Sequence, residues 1–491
     1  MKVRTRFAPS PTGFMHIGNL RTALYNYLFA KSTKGTFVLR IEDTDKKRQV
    51  SGAEEFIYKA LELTNLKPDE SPRLGGNYGP YIQSERLDLY KKYANQLIEK
   101  GCAYYCFCDK CDHEEKLEED AKLTDVVRCD CRNLSTKEAL QKIESGKSYV
   151  IRQRIPLDGQ TTYHDEVYGD VTVENSILED QILIKSDGYP TYNFANVIDD
   201  HLMEITHILR GKEYISSTPK YSLLYSAFGW DAPKTAHLST ICAKNEDGSI
   251  SKLSKRHGAV NLEDLIKEGY LVDALINYIA LLGWSPKQER EIFSLSELSE
   301  IFNLDGLVRS DSIFDYKKLD WFNGEYIKNL SNEDFIKYSF PFVSLLPSVI
   351  KDNWVYLSQF LQTRISKATE IAEKVSFFYD YNDNFDIELL INKKNKTTLE
   401  SCKDVLKDII PEFENINCWD VENLNNVCNN YAEKIGAKLG FVMWPVRLSV
   451  SGQTVTPCGS AEILYVLGKD ESLKRMKSTL ERLWNNFNVL K

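Results

Sequence analysis

The first 45 residues constrain the fold of this chain more than any other feature. Val3 to Ala8 is a short β-rich run and Pro9 to Gly13 a breaker cluster. Leu20, Leu24, Tyr27 and Leu28 then recur at helical spacing until Gly35. Phe37 to Ile41 follows as a nearly continuous apolar strand. Strand, helix and strand in so short a span predict a βαβ unit and hence a parallel sheet, whose ligands bind outside the carboxyl ends of the strands. Pro9 to Asn19 and Glu42 to Asp45 both fall at that edge.

At 491 residues the chain exceeds one compact domain; at roughly 100 to 200 residues each, about three to five units are expected. Hydrophobic residues at 42% and charged residues at 27% describe an ordinary soluble protein. No apolar run approaches the roughly 18 residues of a membrane-spanning helix, so no membrane association is expected. Met1 to Phe7 lacks a secretion signal, and a patterned strand already begins at Val3, which leaves no room for a transit peptide. Eleven cysteines, an odd count, then argue for reduced thiols in the cytoplasm. The net charge of -9 runs against nonspecific attraction to nucleic acid. An acidic body can nonetheless carry local basic surfaces.

From about Arg86 to Tyr189 the pattern changes, with a cysteine cluster, an acidic helical stretch at Glu114 to Asp120 and a β-rich run at Tyr149 to Ile155. This reads as an insertion. Strand and helix patterns return over Tyr192 to Arg210, a Ser-, Lys- and Gly-rich loop spans Asp247 to Gly258, and Asn261 with Asp264 is placed to cap the next helix. Beyond about Gly324 the pattern is helical, with starts expected at Ser331 and Asp470 and with Leu473, Met476, Leu480 and Leu483 along one face. The Asn-rich stretch Asn382 to Asn430 is expected to hold a helix-to-helix boundary.

Two runs suggest chemistry. Pro9-Ser-Pro-Thr-Gly-Phe-Met-His-Ile-Gly-Asn19 joins a strand to a helix, where glycines admit a phosphate and the helix N-terminus offers unpaired N–H groups. His16 and Asn19 add side-chain donors. By itself such a run is more often an ordinary connection. Ile250-Ser-Lys-Leu-Ser-Lys-Arg-His-Gly258 carries two lysines three apart in a Gly-flanked loop, able to clamp a phosphate during reaction. Alone, it reads as a solvated basic loop.

Taken together, the two runs resemble the paired signatures of class I aminoacyl-tRNA synthetases, in which the first ends His-Ile-Gly-His and the second reads Lys-Met-Ser-Lys-Ser. Here they stand as His16-Ile17-Gly18-Asn19 and Lys252-Leu253-Ser254-Lys255-Arg256. Asn19 must then donate where a histidine would, a variant also seen in the glutamate branch. Arg6-Phe-Ala-Pro-Ser-Pro-Thr-Gly13, Arg40-Ile-Glu-Asp-Thr-Asp45, Asp187-Gly-Tyr-Pro-Thr-Tyr-Asn-Phe-Ala-Asn-Val-Ile-Asp-Asp-His201 and Leu209-Arg-Gly-Lys-Glu213 all resemble bacterial-type glutamyl-tRNA synthetases. The resemblance is dense to about Tyr326 and looser beyond.

The resemblance implies an α/β fold with a Rossmann-type parallel-sheet catalytic domain over residues 1–86 and 190–244. An inserted α+β acceptor-binding domain would span 87–189, a signature-loop and stem-contact domain 245–325, and an all-α anticodon-binding region 326–395 and 396–491. It implies activation of L-glutamate by ATP with Mg²⁺, then transfer to the 3′ end of tRNA(Glu). By the same resemblance His16, Asn19, Lys252 and Lys255 would face the ATP phosphates, with Thr12, Gly18 and Glu213 around the nucleotide. Arg6, Tyr192, Asn196 and Arg210 match positions that hold the two glutamate carboxylates, and Glu42, with Ser10 nearby, the acid facing the ammonium. Arginine suits this because its planar fork binds a carboxylate bidentately; the bland alternative for each is a structural ion pair. Which arginine meets which carboxylate stays open, as do the anticodon-reading residues and whether tRNA(Gln) is charged too.

Cys106-x-Cys108 and Cys129-x-Cys131 can converge as two knuckles on a structural Zn²⁺. Cys111 is close enough in sequence to replace one ligand; the alternative is a set of metal-free thiols. The helical tail resembles the anticodon-binding part of bacterial glutamyl enzymes, whereas glutaminyl enzymes carry β-barrels there and the truncated tRNA-modifying paralogue lacks this third. A noncatalytic RNA-binding derivative would be expected to have lost His16, Lys255, Arg6 or Glu42, and all are present. A nucleotidylyltransferase sharing the His-Ile-Gly motif would leave the tail unexplained. A monomer is the default expectation.

Overall fold

The computed structural model of the chain describes residues 2–11, 13–45, 50, 52–108, 128–258 and 260–489, the side chains of Lys255 and of residues 487–489 excepted. The acidic stretch Glu114 to Asp120 lies outside the described residues. Two compact units emerge: Met1–Lys267 with Val272–Leu319, and Glu268–Leu271 with Asp320–Lys491.

In the first unit β1 (Arg4–Phe7) leads to α1 (Ile17–Ser32) and back to β2 (Thr36–Leu39). The strands pair in parallel, from Arg4↔Thr36 to Phe7↔Leu39, as the βαβ pattern predicts. Both are buried along their whole length, as central strands of a sheet covered on two faces must be. Leu20, Leu24 and Leu28 of α1 are fully buried; so is Tyr25, whereas Tyr27 is half-buried.

Helices α2 (Ala53–Leu63) and α3 (Leu87–Glu99) precede β3 (Ala103–Cys106), and α4 (Thr136–Glu144) precedes β4 (Val150–Gln153). The hairpin of β5 (Gln160–Asp165) and β6 (Gly169–Glu174) comes next, then β7 (Ile182–Ile184). Strands β3, β4 and β7 form a sheet of their own. The hairpin does something the sequence pattern did not suggest. Although it lies within 87–189, it extends the sheet of the following strands through the parallel pair Asp165↔Thr235.

That sheet is completed by α5 (Tyr192–Leu202), β8 (His207–Gly211), α6 (Thr218–Phe228) and β9 (Lys234–Leu238), in strand order β6-β5-β9-β8. Strands β8 and β9 run parallel in register, with Arg210 beside His237. Thr206 N donates to Arg4 O at 3.0 Å, tying the start of β8 to β1. The carboxyl ends of β1, β2, β8 and β9 therefore form one rim. A small sheet of β10 (Ile241–Lys244), β11 (Ile250–Lys252) and β12 (Ser312–Ile313) carries the second signature.

The second unit contains helices and short turns among its described residues. Ser331 caps Asn332–Val343, its Oγ accepting from Asp334 N at 3.1 Å. The Asn-rich stretch holds boundaries between Leu399–Glu414 and Val421–Lys434. The last helix, Ser460–Val489, breaks at Gly468, whose φ of 77° and ψ of 169° restart it near Asp470. Leu473, Met476 and Leu483 then face the core, and Leu480 packs against it. Buried Arg475 braces this end through Nη1 to the carbonyls of Phe377 and Val450, both at 2.8 Å. Among the described residues no helix is long and apolar enough to cross a membrane.

Candidate active site and metal centre

At the rim, the two signature runs meet. His16 is the N-cap of α1, its Nδ1 accepting from Gly18 N at 3.1 Å. Ile17 N donates to Val260 O at 2.9 Å and Leu262 N to Met15 O at 3.3 Å, so the chain leaving the basic loop runs antiparallel to the His-Ile-Gly segment. Burial, and after it the nearby Lys252 ammonium, push the His16 imidazole below its ordinary value, opposed by a contact with the Leu253 backbone. His16 is therefore neutral near pH 7, a hydrogen-bonding group rather than a fixed charge. Lys252 and Asn19 are exposed beside it, and Gly18 is half-buried. Thr12 and the Lys255 side chain lie outside the described residues.

The loop is fastened by a residue to which the sequence reading gave no role. His257 accepts from Ser254 N through Nδ1 at 3.1 Å and meets Asn245 Oδ1 through Nε2 at 2.8 Å. Gly258 closes it at a φ of 109°, where an added Cβ would lie 2.7 Å from Tyr316 Oη. At the expected cap of the next helix, Asn261 Nδ2 donates to Asp264 Oδ2 at 3.3 Å, a bond between the two side chains.

Beside the signatures lies a buried charged cluster. Arg6 donates through Nε and Nη2 to Asp200 at 3.1 and 3.2 Å. Arg40 joins Asp200 at 2.7 Å through Nη1 and Glu42 at 2.9 Å through Nη2. Asp199 takes Arg86 Nε at 2.7 Å and Tyr90 Oη at 2.8 Å. Burial raises the Glu42 pKa, against the pull of Arg40 and then Arg6.

Arg210, 4% exposed, differs from its neighbours. Its Nε faces His237 Nε2 at 3.3 Å and its Nη2 donates to Thr218 Oγ1 at 2.8 Å. Its plane lies 4.9 Å from the Tyr214 ring and 4.8 Å from the Tyr221 ring. Its Nη1 is buried without a partner. Four guanidiniums, Arg6, Arg40, Arg86 and Arg210, thus accompany three carboxylates, Glu42, Asp199 and Asp200, and Arg210 is the one with neutral partners only. Asp200 is near enough to favour its charge, but a buried donor without a partner is costly, and a ligand carboxylate would satisfy it.

Tyr192, half-buried, has its ring tilted against that of Tyr214 with centroids 5.3 Å apart, and Asn196 Nδ2 donates to Tyr192 O at 2.9 Å. Ser10 is exposed next to Pro9, whose carbonyl accepts from Glu42 N at 3.1 Å. Glu213 is exposed just past β8. Arg6 lies within electrostatic reach of Glu42, and Glu42, Arg210 and Arg6 within reach of Tyr192. The sequence reading gave no role to Arg40, Asp199, Asp200, Asp165 or His237. Charged residues set in apolar runs, such as Asp199-Asp200 after Val197-Ile198, were the available signal.

The four cysteines also meet. Cys106, Cys108, Cys129 and Cys131 place all four Sγ atoms within 4.8 Å of one another, with Cys108–Cys129 at 2.9 Å, Cys106–Cys129 at 3.5 Å and Cys108–Cys131 at 3.6 Å. Zinc–sulfur bonds of about 2.3 Å put the sulfurs of a tetrahedron about 3.8 Å apart, so the donor set fits Zn²⁺. Phe107 N and Cys131 N donate to the sulfurs of Cys131 and Cys129, both at 3.4 Å, as outer support for thiolates does. Cys111 lies outside the described residues.

A parallel-sheet rim where a His-Ile-Gly helix start docks against a Lys-Leu-Ser-Lys loop, beside a buried guanidinium with one unpartnered nitrogen, defines an amino-acid-activating enzyme of the class I synthetase type. The chain belongs to the class I tRNA synthetases for E and Q: residues 2–321 match the catalytic-domain model of that family, and residues 316–480 match an anticodon binding domain. Glutamate–tRNA ligases of Clostridium kluyveri and Clostridium novyi are each 50% identical to it over 98% of both chains. The crystal structure of a glutamate tRNA ligase from Elizabethkingia meningosepticum in complex with its amino acid is 35% identical. It aligns with a TM-score of 0.85 over 98% of this chain and 100% of its own. A glutamate-tRNA synthetase from Elizabethkingia anophelis aligns with a TM-score of 0.84 at the same identity.

Proposed function

We propose that the chain activates L-glutamate with ATP and Mg²⁺ and transfers it to tRNA(Glu). The observation that carries the glutamate assignment is the buried, unpartnered Nη1 of Arg210, at the carboxyl end of β8. A substrate carboxylate supplies the direct ion pair that no hydrogen-bond partner of this guanidinium provides. The amide of glutamine supplies none, and sites that lose a required polar partner reject analogues by roughly 10⁴- to 10⁵-fold. Full-length likeness to glutamate–tRNA ligases supports the same reading.

In this reading Arg210 takes one carboxylate, and Arg6 offers the Nη1 that Asp200 leaves over to the second. Glu42 faces the ammonium, while Tyr192, Asn196 and Ser10 shape the pocket. Once bound, the α-carboxylate attacks the α-phosphate of ATP and pyrophosphate leaves; the terminal ribose hydroxyl of the tRNA then attacks the adenylate. His16, Asn19, Lys252 and Lys255 stabilise charge on the phosphates, with Thr12, Gly18 and Glu213 at the nucleotide. Aimed donors of this kind are worth roughly 2.7 to 4 kcal/mol each. The stretch 87–189 would receive the acceptor end and the helical unit the anticodon. A thiolate metal site suits the reducing cytoplasm.

The test is charging of purified tRNAs. Glutamate should be esterified to tRNA(Glu) with ATP, glutamine should not, and pyrophosphate exchange should require tRNA. Charging of glutamine at a comparable rate would overturn the pocket assignment. Glutamate transfer to tRNA(Gln) would widen the acceptor range to two tRNAs.

A further inference from the structure

Behind Arg210 stands a second rank of buried groups. Asp165, the last residue of β5, and His237, in β9 beside Arg210, are both 0% exposed. Asp165 Oδ1 accepts from Val167 N and Tyr168 N, each at 3.0 Å. Its Oδ2 meets His237 Nδ1 at 2.6 Å and accepts from His237 N at 3.2 Å. An ionised carboxylate only accepts, so the His237 proton sits on Nδ1 and Nε2 keeps its lone pair. Arg210 Nε, a donor only, lies 3.3 Å from that lone pair. Thr218 Oγ1 accepts from Arg210 Nη2 at 2.8 Å and donates to Tyr214 O at 2.8 Å. Burial holds the His237 imidazole below its ordinary value, consistent with a neutral ring.

We propose that Asp165 and His237 are positioning residues for substrate recognition: Asp165 fixes the His237 tautomer, His237 fixes the guanidinium plane of Arg210, and Nη1 is thereby presented to a glutamate carboxylate. This rests on the reading of Arg210 as the carboxylate receptor. The opposite tautomer would set His237 Nε2–H against Arg210 Nε–H and offer it instead to Thr218 Oγ1, 3.2 Å away, turning the fork out of its plane. Because Asp165 belongs to the hairpin β5–β6, the relay also connects the stretch 87–189 to the amino-acid pocket.

Asp165→Asn tests it with little change of shape. Its oxygen is committed to the two backbone donors at Val167 and Tyr168, so its amide faces His237 Nδ1 and imposes the wrong tautomer, as the same exchange does to the histidine of a serine-protease triad. The KM for glutamate should rise about 10- to 100-fold, the range typical when an outer partner of a ligating residue is lost. The KM for ATP should stay within about threefold. In ¹⁵N-histidine spectra the His237 proton should move from Nδ1 to Nε2. An unchanged glutamate KM, with Arg210→Lys raising it, overturns the relay and leaves the Arg210 reading standing. An unchanged KM in Arg210→Lys itself overturns both. Should Asp165→Asn fail to fold, His237→Gln, whose Oε1 still accepts from Arg210 Nε, should keep a lower glutamate KM than His237→Phe; equal values overturn the proposal.

Discussion

Asp200 holds Arg6 by two teeth of its guanidinium, Nε at 3.1 Å and Nη2 at 3.2 Å, from a position 194 residues away in the chain. The same carboxylate takes Arg40 Nη1 at 2.7 Å, so one acid orients two arginines beneath the pocket. Removing one partner from such a cluster leaves uncompensated buried charge, which typically costs about 3–5 kcal/mol. Asp200→Asn should therefore lower the unfolding free energy of the protein by about that amount and raise the KM for glutamate. A stability within about 1 kcal/mol of the parent would show that the cluster is screened by water.

The Lys255 ammonium is assigned to charge that builds on the ATP phosphates during reaction. Lys255→Ala should lower kcat for charging about 10²- to 10³-fold while leaving the KM for glutamate near the parent value. Unchanged turnover would remove Lys255 from the mechanism.

For the cysteine cluster, the expected metal content is about one zinc per chain, by atomic absorption on protein purified without chelator. Burial, then the neighbouring thiols, push the Cys129 thiol above its ordinary value, a cost that a bound cation cancels. Cys129→Ser should lose the metal and raise the KM for tRNA, with ATP and glutamate affinities unchanged. Less than about half a zinc per chain in the parent would contradict the assignment.

Acid should destabilise the fold before any carboxylate is protonated. Burial is the leading cause that lowers the pKa of His16, His201, His207 and His237, four of the seven histidines. In the unfolded chain each takes up a proton as pH falls through about 6.5, while the native chain resists until lower pH. The unfolded state then holds more protons, so stability present above about 6.5 is lost below it. Glu42, whose pKa burial raises, acts oppositely. The loss between pH 7.5 and 5.5 should be on the order of 1–2 kcal/mol, most of it from His237, since the others are partly screened by solvent. A urea midpoint equal or higher at the lower pH would contradict the buried, neutral state of these rings.

Much of the architecture was legible in local text. The spacing of Leu20, Leu24 and Leu28 made α1, Ser331 and Asp470 marked helix starts, and the two Cys-x-Cys knuckles converged. The hairpin β5–β6 was not legible in the same way. Its alternating burial shows that one face is covered but not by which sheet, and only the Asp165↔Thr235 pairing joins it to β9. The arginines show the same limit: the resemblance marked Arg6 and Arg210 as receptors, yet Asp200 occupies two nitrogens of Arg6, whereas Arg210 Nη1 has no hydrogen-bond partner.

By itself the sequence determined which elements form and where the two signature runs sit at their ends, because helical and strand periods, breakers and caps act over a few residues. Tertiary structure alone decided which guanidinium is left unpaired, which tautomer backs it and which sheet the hairpin completes. Those outcomes depend on buried partners brought together from distant parts of the chain, and no local pattern encodes who the partner will be.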